Sequence, residues 1–213
     1  MKNVYLTGST GGIGRAIRQR LESAGFHVVP ITSRLEDVDS LLREVQDLLK
    51  FSPVDILVNC AGFGLFRPHE EISPEIIGRM VAVNLTAPML LCQMCLRTLK
   101  ERNGRIINIT SLEATRHSRF SAVYTATKSG LRHFSLSLFE EVRKSGVGVT
   151  SINPGMTRTG FFDDLDFGPS DDETCSLVPD EVAEEVLRIV ESSGVVTDVT
   201  IQPQRVGVKR KPY

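Results

Sequence analysis

The sequence predicts a doubly wound α/β fold, in which helices cover both faces of a parallel sheet. Three observations predict it. Short apolar runs alternate with longer stretches of helical period along the chain. A glycine-rich turn joins the first strand to the first helix, where such sheets bind ligands. The 213 residues, 41% apolar and 24% charged, suit one sizeable core, and at about 150 residues per domain they predict a single domain over 1–213.

The elements follow in order. A strand at Val4 to Leu6 leads into a helix from Ile13 to Ala24, whose Ile13, Ile17 and Leu21 share one face and whose end is marked by Gly25. A strand at Val28 to Ile31, a helix at Val38 to Leu49 and a strand at Asp55 to Val58 complete the βαβα order. Helical period continues from about Ser73 to Leu99, opened by the cap and first-turn pair Ser73-Pro74 and kinked or divided by Pro88. A strand at Arg105 to Ile109, a helix at Val123 to Val142, a strand at Val147 to Ile152, a helix at Asp180 to Val190 opened by Pro179, and a strand near Val195 to Ile201 finish the pattern. That gives seven strands or slightly fewer, without internal repeats. Residues 157–178, rich in Asp, Gly and Pro, form the long irregular segment.

Charge and cysteine content narrow the function. Lys and Arg number 25 against 26 Asp and Glu, a net charge of -1, so no global field favours nucleic acid or an anionic membrane. Four cysteines are too few for a disulfide scaffold and predict a reducing, cytoplasmic setting. The amino terminus enters the first strand at once, without a signal peptide's apolar stretch, and no uninterrupted apolar run reaches membrane-spanning length.

Three clusters carry chemistry. Thr7-Gly8-Ser9-Thr10-Gly11-Gly12-Ile13-Gly14 occupies the strand-to-helix turn, where glycines let the backbone approach a pyrophosphate and the helix amino terminus offers unpaired N–H groups. A tight turn alone is the plain alternative. Asn59-Cys60-Ala61-Gly62 follows another parallel strand at its carboxyl end. Tyr124 and Lys128 stand at i and i+4, one turn apart on the same helical face. An ammonium there favours the phenolate and predicts a lowered Tyr124 pKa; a surface pair is the alternative.

Taken together, these segments resemble the short-chain dehydrogenase/reductase family, a Rossmann-fold family. The resemblance rests on Thr-Gly-x-x-x-Gly-x-Gly at Thr7 to Gly14, Asn-x-Ala-Gly at Asn59 to Gly62, Asn84, Ser111 thirteen residues before Tyr124, Tyr-x-x-x-Lys at Tyr124 and Lys128, and Pro154-Gly155 followed by Thr159. It spans nearly the whole chain. It implies a hydride-transfer oxidoreductase that interconverts a carbonyl and an alcohol on a small substrate. Tyr124 would be the general acid or base, and Ser111 would hold the same oxygen. Lys128 would lower the Tyr124 pKa and hold the nicotinamide ribose, while Asn84 would position a relay water. Gly8, Ser9, Thr10, Gly12, Ile13, Gly14, Asn59, Ala61 and Gly62 would line the cofactor site, with Pro154, Gly155, Thr157 and Thr159 at its nicotinamide end. The resemblance also implies a homodimer or homotetramer through the helices at about 73–99 and 123–142.

The chain departs from the family pattern in four places. The glycine spacing also fits the family's extended branch, but 213 residues leave no room for that branch's substrate region. Cys60 stands where a second Asn is usual. From Thr32-Ser33-Arg34 the chain passes almost directly to the helix at Val38, so strand three of the family sheet is expected to be short or missing. Asp37 then matches the acid that meets the adenine amino group, with helix capping as the alternative. Finally, Ser33 and Arg34 replace the acid that binds the ribose 2′-hydroxyl, which favours NADP(H) over NAD(H).

Other features point elsewhere only weakly. Cys92 and Cys95 have CxxC spacing inside an apolar helical run, which predicts packing rather than a metal site, and His27, His69, His117 and His133 form no ligand pattern. Glu113, Arg116 and His117 lie where the family builds its substrate pocket. Six carboxylates between Asp163 and Glu173 predict a solvated, flexible lid within 157–178 that disfavours anionic substrates, with Phe161 and Phe162 as an apolar wall. The stretch 205–213 is expected to be a frayed basic tail. A dinucleotide-binding redox sensor and an interaction protein on the same fold are the alternatives to an enzyme.

Overall fold

A computed structural model describes residues 1–211. Its elements are β1 (Asn3–Thr7), α1 (Gly12–Ser23), β2 (His27–Ile31), α2 (Val38–Phe51), β3 (Ile56–Asn59), α3 (Pro74–Val81), α4 (Ala87–Glu101), β4 (Arg105–Ile109), α5 (Ala122–Val142), β5 (Gly148–Pro154), β6 (Phe167–Pro169), α6 (Pro179–Glu191), β7 (Asp198–Ile201) and β8 (Val208–Arg210). Six strands form one parallel sheet in the order β2-β1-β3-β4-β5-β7. The predicted doubly wound sheet is therefore present, and the chain runs from β2 into α2 with no strand between them. β2 is consequently an edge strand, and it carries Pro30 opposite Leu6.

Alternation along the strands builds two cores. Tyr5, Leu57, Ile106 and Val149 face α2, α4 and α5 and bury Leu41, Val45, Leu91, Cys92, Cys95 and Leu138. Val4, Leu6, Ile56, Val58, Ile107 and Ile152 face α1 and α6 and bury Ile17, Leu21, Val182 and Val186. The crossovers from β1 through α1 and from β2 through α2 lie on opposite faces. A crevice therefore opens between the carboxyl ends of β1 and β3, where ligands bind in such sheets.

One expectation is sharpened and one corrected. The stretch from Ser73 to Leu99 is divided, as Pro88 leads one to expect: Ala82–Thr86 forms a π-helical turn between α3 and α4, in which the Ala87 N–H donates to the Ala82 carbonyl. Pro88 accounts for this, because it has no N–H to give the Asn84 carbonyl. The combined run Pro74–Glu101 is long and apolar enough to cross a membrane, yet Met80, Leu91, Cys92, Cys95 and Leu99 are buried within the protein. The basic tail, in turn, does not fray over the residues described. β8 pairs antiparallel with β6, because Gly168 and its neighbours offer ladder groups that no strand of the main sheet uses. The end of the 205–213 stretch, residues 212–213, lies outside the described residues.

Candidate active site

The glycine turn is shaped by contacts too close for a side chain. Gly8 has φ +68° and its carbonyl accepts from the Gly11 N–H at 3.1 Å. A Cβ on Gly14 would stand 2.0 Å from the Gly8 carbonyl oxygen, and one on Gly12 would stand 2.5 Å from Thr159 Cγ2. α1 starts with no side-chain cap and no acidic residue in its first turn, so its N–H groups stay available to an anion. Thr7 Oγ1 accepts from the Cys60 and Ala61 N–H groups at 3.0 and 3.1 Å, tying the turn after β3 to the glycine turn. A bare backbone cradle at a helix amino terminus, closed by Thr159, fits the pyrophosphate of a dinucleotide. Ser9, Thr10 and Ile13 lie on this turn, and Ile13 also reaches the cavity described below.

Asn59 and Asn84 serve buried frameworks. Asn59 Nδ2 donates to Asn108 Oδ1 at 2.8 Å. Asn84 sits in the π-helical turn, fully buried. Its Nδ2 donates to the Phe63 carbonyl at 2.8 Å and to Thr127 Oγ1 at 3.2 Å, while its Oδ1 accepts from the Phe63 N–H at 3.1 Å. Asn84 Oδ1 and Lys128 Nζ both lie 3.1 Å from the point a Gly62 Cβ would occupy. They therefore converge on Gly62, beside the carboxyl end of β4.

Ser111, two residues beyond β4, caps a short 3-10 turn, and its Oγ accepts from the Glu113 N–H at 3.1 Å. Tyr124 enters from the first turn of α5, its ring 5.2 Å from Phe66 and 5.9 Å from Phe161. Lys128 follows one turn later and Nζ donates to the Ile109 carbonyl at 3.0 Å. Burial drives the charges here. It pushes the Tyr124 phenol up to about 12, with the Ser111 hydroxyl pulling it down and the Glu113 charge pushing it further up. This corrects the expected lowering, because desolvation outweighs any help from Lys128, whose Nζ is 5.9 Å from the Tyr124 ring centroid. Burial also lowers Lys128 to about 8 and raises Cys60 to about 12, each opposed by the other's charge.

A cavity of about 540 Å³ opens beside Ser111 and Tyr124. Pro154, Gly155, Thr157 and Thr159 line one side, and Thr157 Oγ1 donates to the Gly155 carbonyl at 3.0 Å. Phe161 and Phe162 form an apolar wall with Phe66 and Phe167. Glu113 and Arg116 reach the cavity, whereas His117 does not line it. Val208 and Arg210 of β8 line it too, and no local signal in the sequence marks them, since only long-range pairing with β6 brings them there.

The segment that covers the site is ordered by the carboxyl-terminal stretch. Lys209 Nζ meets Asp171 at 2.7 Å, Arg205 faces Asp172 at 3.7 Å, and Lys211 Nζ donates to the carbonyls of Phe162 and Asp163. The expected free acidic loop is thus a tethered one, because the basic residues that follow β7 neutralise two of its carboxylates. Only Asp166 of the acidic residues in this segment lines the cavity.

The far end of the crevice is less simple than its sequence. Arg34 pairs with Glu36 at 3.1 Å, and Glu36 also faces Arg79 at 3.3 Å. Glu44 accepts from the Thr32 and Ser33 N–H groups at 2.9 and 2.8 Å, so an acid stands at this strand end after all, supplied by α2. Its place in the sequence gives no sign of that reach. Asp37 caps α2, its Oδ1 accepting from the Ser40 N–H at 3.1 Å, as the capping alternative has it. Cys92 and Cys95 are buried in α4, and among the described residues no group of three potential ligands could hold a metal.

Known proteins are similar to this chain in sequence and in fold. The short chain dehydrogenase family model matches residues 36–167. An uncharacterized oxidoreductase of Staphylococcus epidermidis is 31% identical over 226 residues, covering 95% of this chain and 97% of that protein. The serine 3-dehydrogenase of Rhizobium radiobacter is 33% identical over 181 residues, covering 74% and 73% respectively. Among solved structures, a short chain dehydrogenase from Burkholderia cenocepacia in complex with NADP superposes with TM-score 0.82 at 25% identity over 95% of this chain and 96% of that one. The alcohol dehydrogenase of Thermococcus sibiricus, complexed with 5-hydroxy-NADP, has the same fold, with TM-score 0.86 at 24% identity over 100% of both chains.

Proposed function

The chain belongs to the short-chain dehydrogenase family and is an NAD(P)-dependent oxidoreductase, and from that premise we propose that it interconverts a carbonyl and an alcohol on a small substrate, with Tyr124 as general acid and base. The observation that carries this reading is the convergence of Ser111, Tyr124 and Lys128 at the carboxyl end of β4, beside a cavity and within reach of a bare glycine turn.

The residues suit the chemistry. A nicotinamide, when bound, supplies or accepts the hydride. A phenol held near 12 is fully protonated at neutral pH, the state an acid needs when it gives its proton to a carbonyl oxygen. The Glu113 N–H occupies a lone pair of Ser111 Oγ, which leaves the hydroxyl proton free to meet the same oxygen. Lys128, mostly charged below about pH 8, stabilises the phenolate left behind. Asn84 holds the Phe63 backbone, and its Oδ1 lies near Lys128 across Gly62, so a relay water has an acceptor there. The phenylalanine wall keeps bulk water off the reacting carbon.

The finer features of the reading are these. The cofactor is NADP(H): Arg34 is exposed and Arg79 stands close by, so a 2′-phosphate can draw either guanidinium from Glu36, although Glu44 weakens the preference. The molecule is a single-domain homodimer or homotetramer joined through α4 and α5, where Met89 stays 40% exposed. Four free cysteines agree with a cytoplasmic setting. The test is titration of the purified chain and of Arg34→Ala with NADPH and NADH by fluorescence, followed by a carbonyl panel. Tighter NADPH binding that Arg34→Ala reduces about tenfold while NADH binding holds is the expected result. Equal weakening removes Arg34 from the 2′ role, and binding of neither cofactor makes an interaction protein the better reading.

A further inference from the structure

The cavity beside Tyr124 has a phenylalanine wall on one side, and Glu113 is among the charged residues that complete its lining, with Arg116, Arg119, Asp166 and Arg210. The Glu113 side chain is only 12% exposed. Arg116 donates from Nε and Nη2 at 2.8 and 2.6 Å, and both bonds fall on Oε1. Oε2 is sealed from water and has no hydrogen-bond partner among the described residues. An arginine fork commonly gives one donor to each carboxylate oxygen, so this arrangement leaves a deficit. A buried oxygen with open lone pairs is costly, and such atoms in native sites call for an explanation.

The position of Glu113 suggests one. It stands two residues after Ser111, and its N–H bonds the Ser111 hydroxyl, so the carboxylate is held at a fixed reach from the reacting oxygen. Its charge is felt at the Tyr124 phenol. The last torsion of a Glu side chain is soft, so Oε2 can turn into the cavity that Glu113 lines. Arg116 is half exposed and can follow that turn.

Resting on the carbonyl-alcohol reading, we propose that Glu113 Oε2 accepts a hydrogen bond from a hydroxyl or ammonium on the carbon next to the reacting one, so that the preferred substrates are vicinal diols or amino alcohols, and the matching carbonyl compounds, with an apolar remainder. A site built to bind a donor discriminates strongly against the analogue that lacks it, because its own polar group is then left unpaired.

The test uses the full chain loaded with NADPH, where alcohols bind without turnover, and measures by calorimetry the affinities of 2-butanol, 2,3-butanediol and 3-amino-2-butanol. At least one donor-bearing alcohol should bind about tenfold tighter than 2-butanol or better. Glu113→Leu should bring the three affinities together. Glu113→Gln, which keeps the size and an acceptor oxygen, guards against misfolding and should retain the diol preference while losing that for the amino alcohol. Equal affinity for all three, no measurable binding of any, or a preference that survives in Glu113→Leu overturns the inference. The underlying reaction is judged separately, by oxidation of these alcohols with NADP and its dependence on Tyr124, so a flat affinity series with turnover intact removes Glu113 alone.

Discussion

The two sides of the crevice are held by different means. On the cofactor side, the turn from Thr7 to Gly14 is fixed by backbone approach, with no space for a methyl at Gly12 or Gly14. On the substrate side, the cover from Phe161 to Asp172 is held by a three-residue ribbon, by exposed ion pairs to Lys209 and Arg205, and by hydrogen bonds from Lys211 to the Phe162 and Asp163 carbonyls. Close packing has almost no tolerance, whereas exposed pairs are individually weak and screened by salt. The cofactor-side turn should therefore tolerate change far less than the cover does.

Three substitutions break or sharpen that contrast. The largest effect is expected where the two sides meet: Tyr124→Phe removes the proposed proton donor and should lower turnover about 10³-fold while leaving cofactor affinity within about twofold. Comparable loss of cofactor binding would mean that Tyr124 holds the site together rather than driving the reaction. Next comes Gly14→Ala on the rigid side, whose new Cβ would meet the Gly8 carbonyl. Overpacking of this kind costs about 1–3 kcal/mol, so melting should fall by several degrees and cofactor affinity should drop with it. The smallest effect belongs to Lys209→Ala on the tethered side. Loss of one exposed pair should move stability by less than about 1 kcal/mol, and its mark should be a higher KM for the carbonyl substrate, which raised salt imitates in the unaltered chain. If Lys209→Ala lowered melting as much as Gly14→Ala, the contrast between the two sides would collapse.

The same contrast governs how much the sequence discloses. The alternation of strands and helices, the glycine turn and the one-turn spacing of Tyr124 and Lys128 are local patterns, and local patterns can be read from residue types and spacing. The missing strand between β2 and α2 was equally legible, since too few residues separate Ile31 from Val38. The π-helical turn at Ala82–Thr86 was not, because Pro88 announces an interruption without saying what form it takes. Nor was the β6–β8 ribbon: three-residue strands containing Gly168 and Pro169 carry little alternation, and their pairing joins segments about 40 residues apart. Within the site, the Tyr124 shift had the opposite sign to that expected, since spacing reveals the nearby cation and burial is set by the whole fold. Glu44 escaped notice for the same reason, its role being fixed by how α2 packs over the end of β2.

The lost strand has one more consequence, for the margin of the sheet. A strand without an outer neighbour offers its backbone to any chain that can continue the ladder, which is how fibres grow. β2 is such a margin, but Pro30 has no N–H to offer and Glu44 has already claimed those of Thr32 and Ser33 where the strand would run on. The shortened sheet thus ends in a border that resists extension, and the chain can do without its outermost strand without becoming a seed for its own aggregation.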